Sequence, residues 1–272
     1  MIQNIEPKVF HNEYTPKTVK DHNIILAYNK DSILCKVIDG NIVYPAYSEI
    51  RCGEEQLIYA FSIDDTPYYL FPPQETLVLP GYSYENVSIF RAAGPKDIVF
   101  AGFTGYHLFK WYRDTKYCGR CKNLLVPGLE ERMMSCPECG NIIYPSIAPA
   151  VIVGVTDGDK LLMTKYAGRE YTNYALIAGF TEIGETIEQT VEREVMEEAG
   201  LKVKNITFYK SQPWAFSNSL LLGFFAEVDG STDIVLEEKE LSEGRWFHRD
   251  EIDLEEDSVS LTREMILKFK NG

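Results

Sequence analysis

The stretch 179–201, GFTEIGETIEQTVEREVMEEAGL, carries the residue types that hold a hard cation. Glu194, Glu197 and Glu198 stand at i, i+3 and i+4, so on a helix all three project from one face. That helix is written locally. Thr186 is a good N-cap, Gln189 completes a capping box, and Gly200 is a natural stop. Carboxylates this close repel and raise one another's pKa values, a cost relieved when cations sit between them. Mg²⁺ prefers such oxygen ligands, usually shared with substrate phosphates. Taken alone, three clustered glutamates also suit a solvated acidic helix face.

A second constellation is Cys118-Gly-Arg-Cys121 and Cys136-Pro-Glu-Cys139, two CxxC units with fourteen residues between them. Each can present two sulfurs to one tetrahedral ion, so the pair reads as a four-thiolate ribbon holding one structural Zn²⁺ per chain. Stable disulfides are disfavoured in a cytosolic chain. Cys35 and Cys52 are isolated and read as buried small apolar residues.

Stepping outward to the elements, the 272 residues divide into three regions. Residues 1–112 form an α+β domain with strand-like runs at 23–28, 32–37, 57–61 and 68–71, an irregular stretch at 80–98 and a short helix at 103–111. Nothing in this region names a chemistry. Residues 113–144 are the ribbon. Residues 145–272 form a third domain, which contains the clustered glutamates. It opens on a buried strand at 150–155, and Asp157-Gly158 turns it back into a strand at 160–164. A short strand at 174–177 runs into the Gly179 loop. After the helix come strands near 205–210, 219–228 and 244–248, then an amphipathic helix at 263–269. Strands interleaved with helices imply an α/β fold with a mixed sheet covered on both faces.

Composition narrows the classes. Hydrophobic content of 45% and charged content of 25% are those of a globular protein. No run is apolar for the roughly 18 residues a membrane helix needs, and the N-terminus lacks a basic region followed by an apolar core. A cytoplasmic protein is the default expectation. The net charge of −14 argues against a general polyanion binder. Residues 107–132, however, hold six Lys/Arg against three Asp/Glu and coincide with the first cysteine pair.

The 179–201 stretch resembles, at every defined position, the Nudix box G-x5-E-x7-R-E-U-x-E-E-x-G-U, with U aliphatic. Gly179, Glu185, Arg193, Glu194, Glu197, Glu198 and Gly200 occupy its fixed places. The resemblance implies an α/β/α sandwich and hydrolysis of a nucleoside diphosphate linked to another moiety. A second segment, Ser211-Gln212-Pro213-Trp214-Ala215-Phe216-Ser217-Asn218-Ser219, resembles the SQPWPFPxS signature of the NADH pyrophosphatase subfamily, whose members also act on NAD-capped RNA. Ala215 and Ser217 stand where that signature has prolines, leaving the loop less pre-set. Alone, the Trp and Phe would be ordinary core residues. In a dinucleotide site, aromatic faces stack on bases while amides and hydroxyls bond their edges.

Carried over by motif, the resemblance implies Mg²⁺ or Mn²⁺ held by the Ala178 carbonyl, Glu194, Glu198 and, in a Lys-Glu-Leu context, Glu240. Glu197 would ligate a metal or accept the proton of the attacking water. Glu185 and Arg193 would be an ion pair fixing the loop on the helix. Tyr144 and Phe180 would stack on the nicotinamide end. In the family that tyrosine comes from the partner subunit, which implies a homodimer. Thr262 falls where the family has an alanine near the product. The implied substrates are NADH and NAD⁺, with NAD-capped RNA as a further one. Two readings stay open: a Nudix enzyme for ADP-ribose or dinucleoside polyphosphates, and a zinc-ribbon nucleic-acid adaptor.

Overall fold

A computed structural model describes the whole chain except residues 51, 93, 169–172, 238 and 255–258. It resolves into two compact units, Ile2–Ser146 and Met1 with Ile147–Gly272.

In the first unit, β1 (Phe10–His11), β2 (Ile24–Leu26), β4 (Ile58–Ile63) and β5 (Thr66–Leu70) form a sheet ordered β1-β4-β5-β2. A second sheet is built on β3 (Ser32–Ile38), which pairs with Tyr28–Asn29, Asn41–Val43 and β6 (Ser83–Asn86). The stretch expected to be irregular thus contains β6, a 3₁₀ turn at Val87–Arg91 and the start of α1 (Lys96–Asp114). The helix is far longer than 103–111. Tyr28 packs against its Gly102–Gly105 face and donates to the Gly102 carbonyl at 2.6 Å. Cys35 is buried as expected, whereas Cys52 is only half-buried.

The ribbon lies in this unit as a three-stranded antiparallel sheet of Val126–Pro127, Met134–Ser135 and Ile142–Ile143. Arg132 anchors it. Its guanidinium donates to Asn12 Oδ1 at 2.8 Å and to the Ala60 carbonyl, and lies over the Tyr14 ring.

The second unit is a six-stranded mixed sheet. Its centre is β7 (Ala148–Asp157), a continuous apolar run that is buried from Ala150 to Val155, as a strand covered on both faces must be. The turn at 158–159 returns the chain into β8 (Lys160–Tyr166). β9 (Ile177–Phe180) pairs antiparallel with β7, placing Gly179 opposite Val151 and Ala178 opposite Ile152. Gly179 is therefore inside a strand, where a loop was expected. Its residues supply main-chain partners to β7 before β8 takes over that edge. Then follow α2 (Ile187–Ala199), β10 (Val203–Trp214), β11 (Ser219–Val228), β12 (Leu241–His248) and α3 (Leu261–Asn271). The order is β10-β11-β7-β8-β12, with β11 parallel to β7. One face packs Val151, Val153, Val155 and Leu162 against Val191, Val195 and Ala199 of α2. The other packs Ile152, Leu161 and Met163 against Leu261, Met265 and Phe269 of α3. This is the α/β/α arrangement the resemblance implied.

Candidate active site

The α2 start is the capping box read from sequence. Thr186 Oγ1 accepts from Gln189 N–H at 3.2 Å, and Gln189 Oε1 accepts from Thr186 N–H at 2.9 Å. Gly200 ends the helix in the left-handed region, φ 67°. The three glutamates of the shared face are not equivalent. Glu194 and Glu198 are buried, while the Glu197 side chain is 60% exposed.

Glu194 lies directly on Gly179. A Cβ built at that position would fall onto the Glu194 carboxylate, so only glycine permits this approach between β9 and α2. Burial raises the Glu194 pKa, Arg193 opposes that, and the charges of Glu197 and Glu240 add to the rise. Glu240 itself is exposed. The main chain leads there from α2, since Glu237 N–H donates to the Glu198 carbonyl at 3.2 Å and Glu240 N–H to the Glu237 carbonyl at 3.0 Å.

Arg193 does more than the expected pairing with Glu185. It grips that carboxylate with two bonds, Nε to Oε1 at 2.6 Å and Nη2 to Oε2 at 3.0 Å. It also donates to Glu194 at 2.7 Å, Glu197 at 2.9 Å and the Phe180 carbonyl at 2.9 Å. One guanidinium thus ties the loop, the helix face and the end of β9, using the fixed fork of donors lysine lacks. Glu185 is held down to about 2, chiefly by Arg193 and then by the Glu182 N–H. Thr190, fully buried, also donates to Glu185 at 3.0 Å and was not singled out from sequence. The i, i+4 spacing of Arg193 and Glu197 was the available signal for the wider grip.

The 211–219 segment is no free loop. Residues 211–214 end β10, 215–217 form one 3₁₀ turn and Ser219 begins β11. Trp214 and Phe216 meet edge-to-face at 5.2 Å. Ala215 and Ser219 are buried; Ser217 hydrogen-bonds Ser219. Asn218 takes the left-handed cap, and its carbonyl accepts from Ala148 N–H at 2.8 Å. Ser211 and Pro213 are exposed. Gln212 is wholly buried. Its amide donates to the Val259 carbonyl at 3.0 Å and accepts from Leu261 N–H at 2.7 Å, tying β10 to the start of α3. Thr262 is half-buried in that first turn. Phe180 is half-exposed, and Tyr144, in the first unit, donates to Glu131 at 3.0 Å.

The four cysteine sulfurs lie within 4.8 Å of one another and are the one such group of potential metal ligands among the described residues. Cys118 and Cys139 Sγ are 3.6 Å apart, Cys121 and Cys136 Sγ 3.3 Å, near the edge of about 3.8 Å that a tetrahedral Zn–S₄ centre requires. The two CxxC turns repeat one geometry. Cys118 N–H donates to Asn123 O and Lys122 N–H to Cys118 O; Cys136 N–H donates to Asn141 O and Gly140 N–H to Cys136 O. Lys122 and Gly140 are both left-handed. The donor set fits zinc. Glu194, Glu198, Glu240 and the Ala178 carbonyl offer only oxygen, the set for a hard divalent cation, although their carboxylates do not gather as tightly as the sulfurs.

Residues 146–269 match the NUDIX domain family model, and the chain belongs to the Nudix family. Over 181 residues it is 40% identical to the NAD-capped RNA hydrolase NudC of Shigella flexneri, and equally to the protein of that name from Escherichia coli K12. Each alignment covers 66% of this chain and 66% of the relative, so the chain spans about two thirds of the length of the curated relatives it matches. Among solved structures, a NUDIX hydrolase from Nitrosomonas europaea is similar at 24% identity and TM-score 0.49, covering 57% of this chain and 90% of that one.

Proposed function

We propose that this protein hydrolyses the pyrophosphate of NADH and NAD⁺ to AMP and nicotinamide mononucleotide, reduced or oxidised to match, and removes the NAD cap from RNA 5′ ends. The observation that carries the reading is the buried pair Glu194 and Glu198 on α2, with Glu194 seated against Gly179. The similarity to NAD-capped RNA hydrolases supports the substrate class.

Glu194, Glu198, Glu240 and the Ala178 carbonyl would hold Mg²⁺ or Mn²⁺. When bound, such an ion neutralises phosphate charge and lowers the pKa of water. The chain's own work is orientation. Arg193 holds Glu194 and Glu197 in place, and Glu197, the exposed member, would ligate a metal or take the proton of an attacking water. Water adds across the P–O–P bridge, leaving one phosphate on each product. Phe180 and the Trp214–Phe216 pair are the aromatic surfaces for nicotinamide and adenine, and in a homodimer one protomer's Tyr144 would serve its partner. A cytoplasmic location goes with these substrates; no helix among the described residues is long and apolar enough to cross a membrane.

The test is product chromatography with NADH, NAD⁺, ADP-ribose and a dinucleoside tetraphosphate, each with Mg²⁺ and then Mn²⁺. Nicotinamide mononucleotide and AMP, formed fastest from NADH or NAD⁺, are expected. Faster cleavage of ADP-ribose or the tetraphosphate would overturn the substrate and keep the chemistry. Glu198→Gln should cut turnover by about a hundredfold to a thousandfold, the scale lost when a charge-stabilising group is removed from an active site, with the circular dichroism spectrum unchanged.

A further inference from the structure

Glu240 follows α2 through a loop and stands one residue before β12, and the geometry that holds it there has a conspicuous centre. β12 and β8 pair in register down to Glu243 opposite Lys165; the next pair is Leu241 opposite Tyr166, so Ser242 is an extra residue in a β-bulge. Bulges re-aim the chain beside them. Here the Ser242 hydroxyl donates to the Lys165 and Tyr166 carbonyls, both at 3.3 Å, and Ala167 N–H donates to the Glu240 carbonyl at 2.8 Å.

At the last regular pair sits Glu243, a carboxylate with no part in the reaction as derived above. Lys165 Nζ donates to its Oε2 at 2.8 Å, and the Tyr174 hydroxyl donates to its Oε1. Lys165 also lies over the Tyr174 ring, 4.2 Å from its centre, and that ring meets Phe247 edge-on at 4.6 Å. Arg245 completes the charged surroundings, over Phe247 at 3.9 Å. Tyr174 precedes Ala175, whose N–H and C=O both bond Thr164 of β8, and the chain then enters β9 with Ala178 and Gly179. One carboxylate therefore joins three segments: the end of β8, the entry to the Gly179 strand, and the start of β12 just past Glu240.

We propose that Glu243, gripped by Lys165 and Tyr174, is a positioning residue that sets Glu240 against the Ala178–Gly179 strand and so shapes the divalent-cation site. This rests on reading Glu240 as a ligand of that cation. A carboxylate that only stabilised the sheet would add to stability without touching metal affinity. A positioning residue changes affinity because ligands shifted by the loss of their support bind less tightly.

The test is Mn²⁺ binding to the full-length protein without substrate, read by the electron paramagnetic resonance signal of the free ion. Glu243→Gln, Tyr174→Phe and Glu240→Gln are compared with the unaltered chain, with circular dichroism as the folding check. Glu240→Gln should weaken binding, and Glu243→Gln and Tyr174→Phe should each weaken it on the order of tenfold. The double variant Glu243→Gln/Tyr174→Phe should lose little more than either alone. Unaltered affinity in both single variants, with Glu240→Gln impaired, overturns the proposal and leaves the metal site standing. Unaltered affinity in Glu240→Gln overturns the ligand assignment and this proposal with it. Should Glu243→Gln fail to fold, Tyr174→Phe, which removes one hydroxyl, decides by itself.

Discussion

Gly179 and Glu194 are fifteen positions apart in the chain and in contact in the fold, and that contact seats the carboxylate proposed to hold the cation. Gly179→Ala should force the Glu194 carboxylate off its seat. The expected cost is about 1–3 kcal/mol, as for other overpacked positions, with a larger loss of turnover than of stability. Urea unfolding beside steady-state rates checks this; wild-type rates with a lowered urea midpoint would show that Glu194 need not sit there. The Glu185–Arg193 pair predicts a pH signature. Its depressed pKa, about 2 against an ordinary 4.5, means the pair stabilises fully above about 4.5, and the benefit fades as pH falls toward about 2. The stability gap between wild type and Glu185→Gln should therefore stay constant above that range and close below it. A gap that persists to the acid end would mean the carboxylate is not what Arg193 holds.

At the scale of elements, α2 was legible because its signals are local: a capping box, a glycine stop and apolar residues at helical spacing. β7 was legible because a strand buried on both faces is apolar throughout. The 211–219 segment was not, because a strand end and one 3₁₀ turn share their composition with a loop. Gln212 shows the consequence. It was expected among the groups facing the substrate, and it is spent on the main chain of 259–261. Gln212→Ala should leave those buried groups unpaired, costing about 1–3 kcal/mol and loosening the first turn of α3. Hydrogen exchange across 259–265 reads the effect, and unchanged protection there would refute it. The α1 helix was underestimated for a related reason: its first turn fell in a stretch read as irregular, and the aromatic side chains packed on the helix, Tyr28 and Tyr44, come from residues distant in the chain.

At the scale of the molecule, the Ile2–Ser146 unit combines a four-cysteine ribbon with two small sheets, and Arg132 ties the ribbon to one of them. Metal in a four-thiolate site contributes directly to folding. Removing zinc with a thiol-reactive reagent and chelator should release one ion per chain and raise hydrogen exchange in 118–139. Through Arg132, exchange should also rise in β4 around Ala60. Exchange confined to the ribbon would show that the anchor does not transmit the loss.

The sequence by itself determined whatever is encoded within one segment: the box helix and its caps, the two CxxC turns, the buried strand, and the oxygen-rich and sulfur-rich donor sets. These follow from spacing along the chain, where 3.6 residues per turn and a two-residue strand period fix neighbours. The tertiary structure decided which glutamates turn inward, that Gly179 lies in a strand beneath Glu194, that Gln212 is committed to α3, and that Glu243 joins β8, β12 and the approach to β9. Helical spacing puts Glu194, Glu197 and Glu198 on one face without saying which part of that face the sheet covers. That choice depends on register between strands distant in sequence, and register is settled only when the whole apolar surface is buried at once.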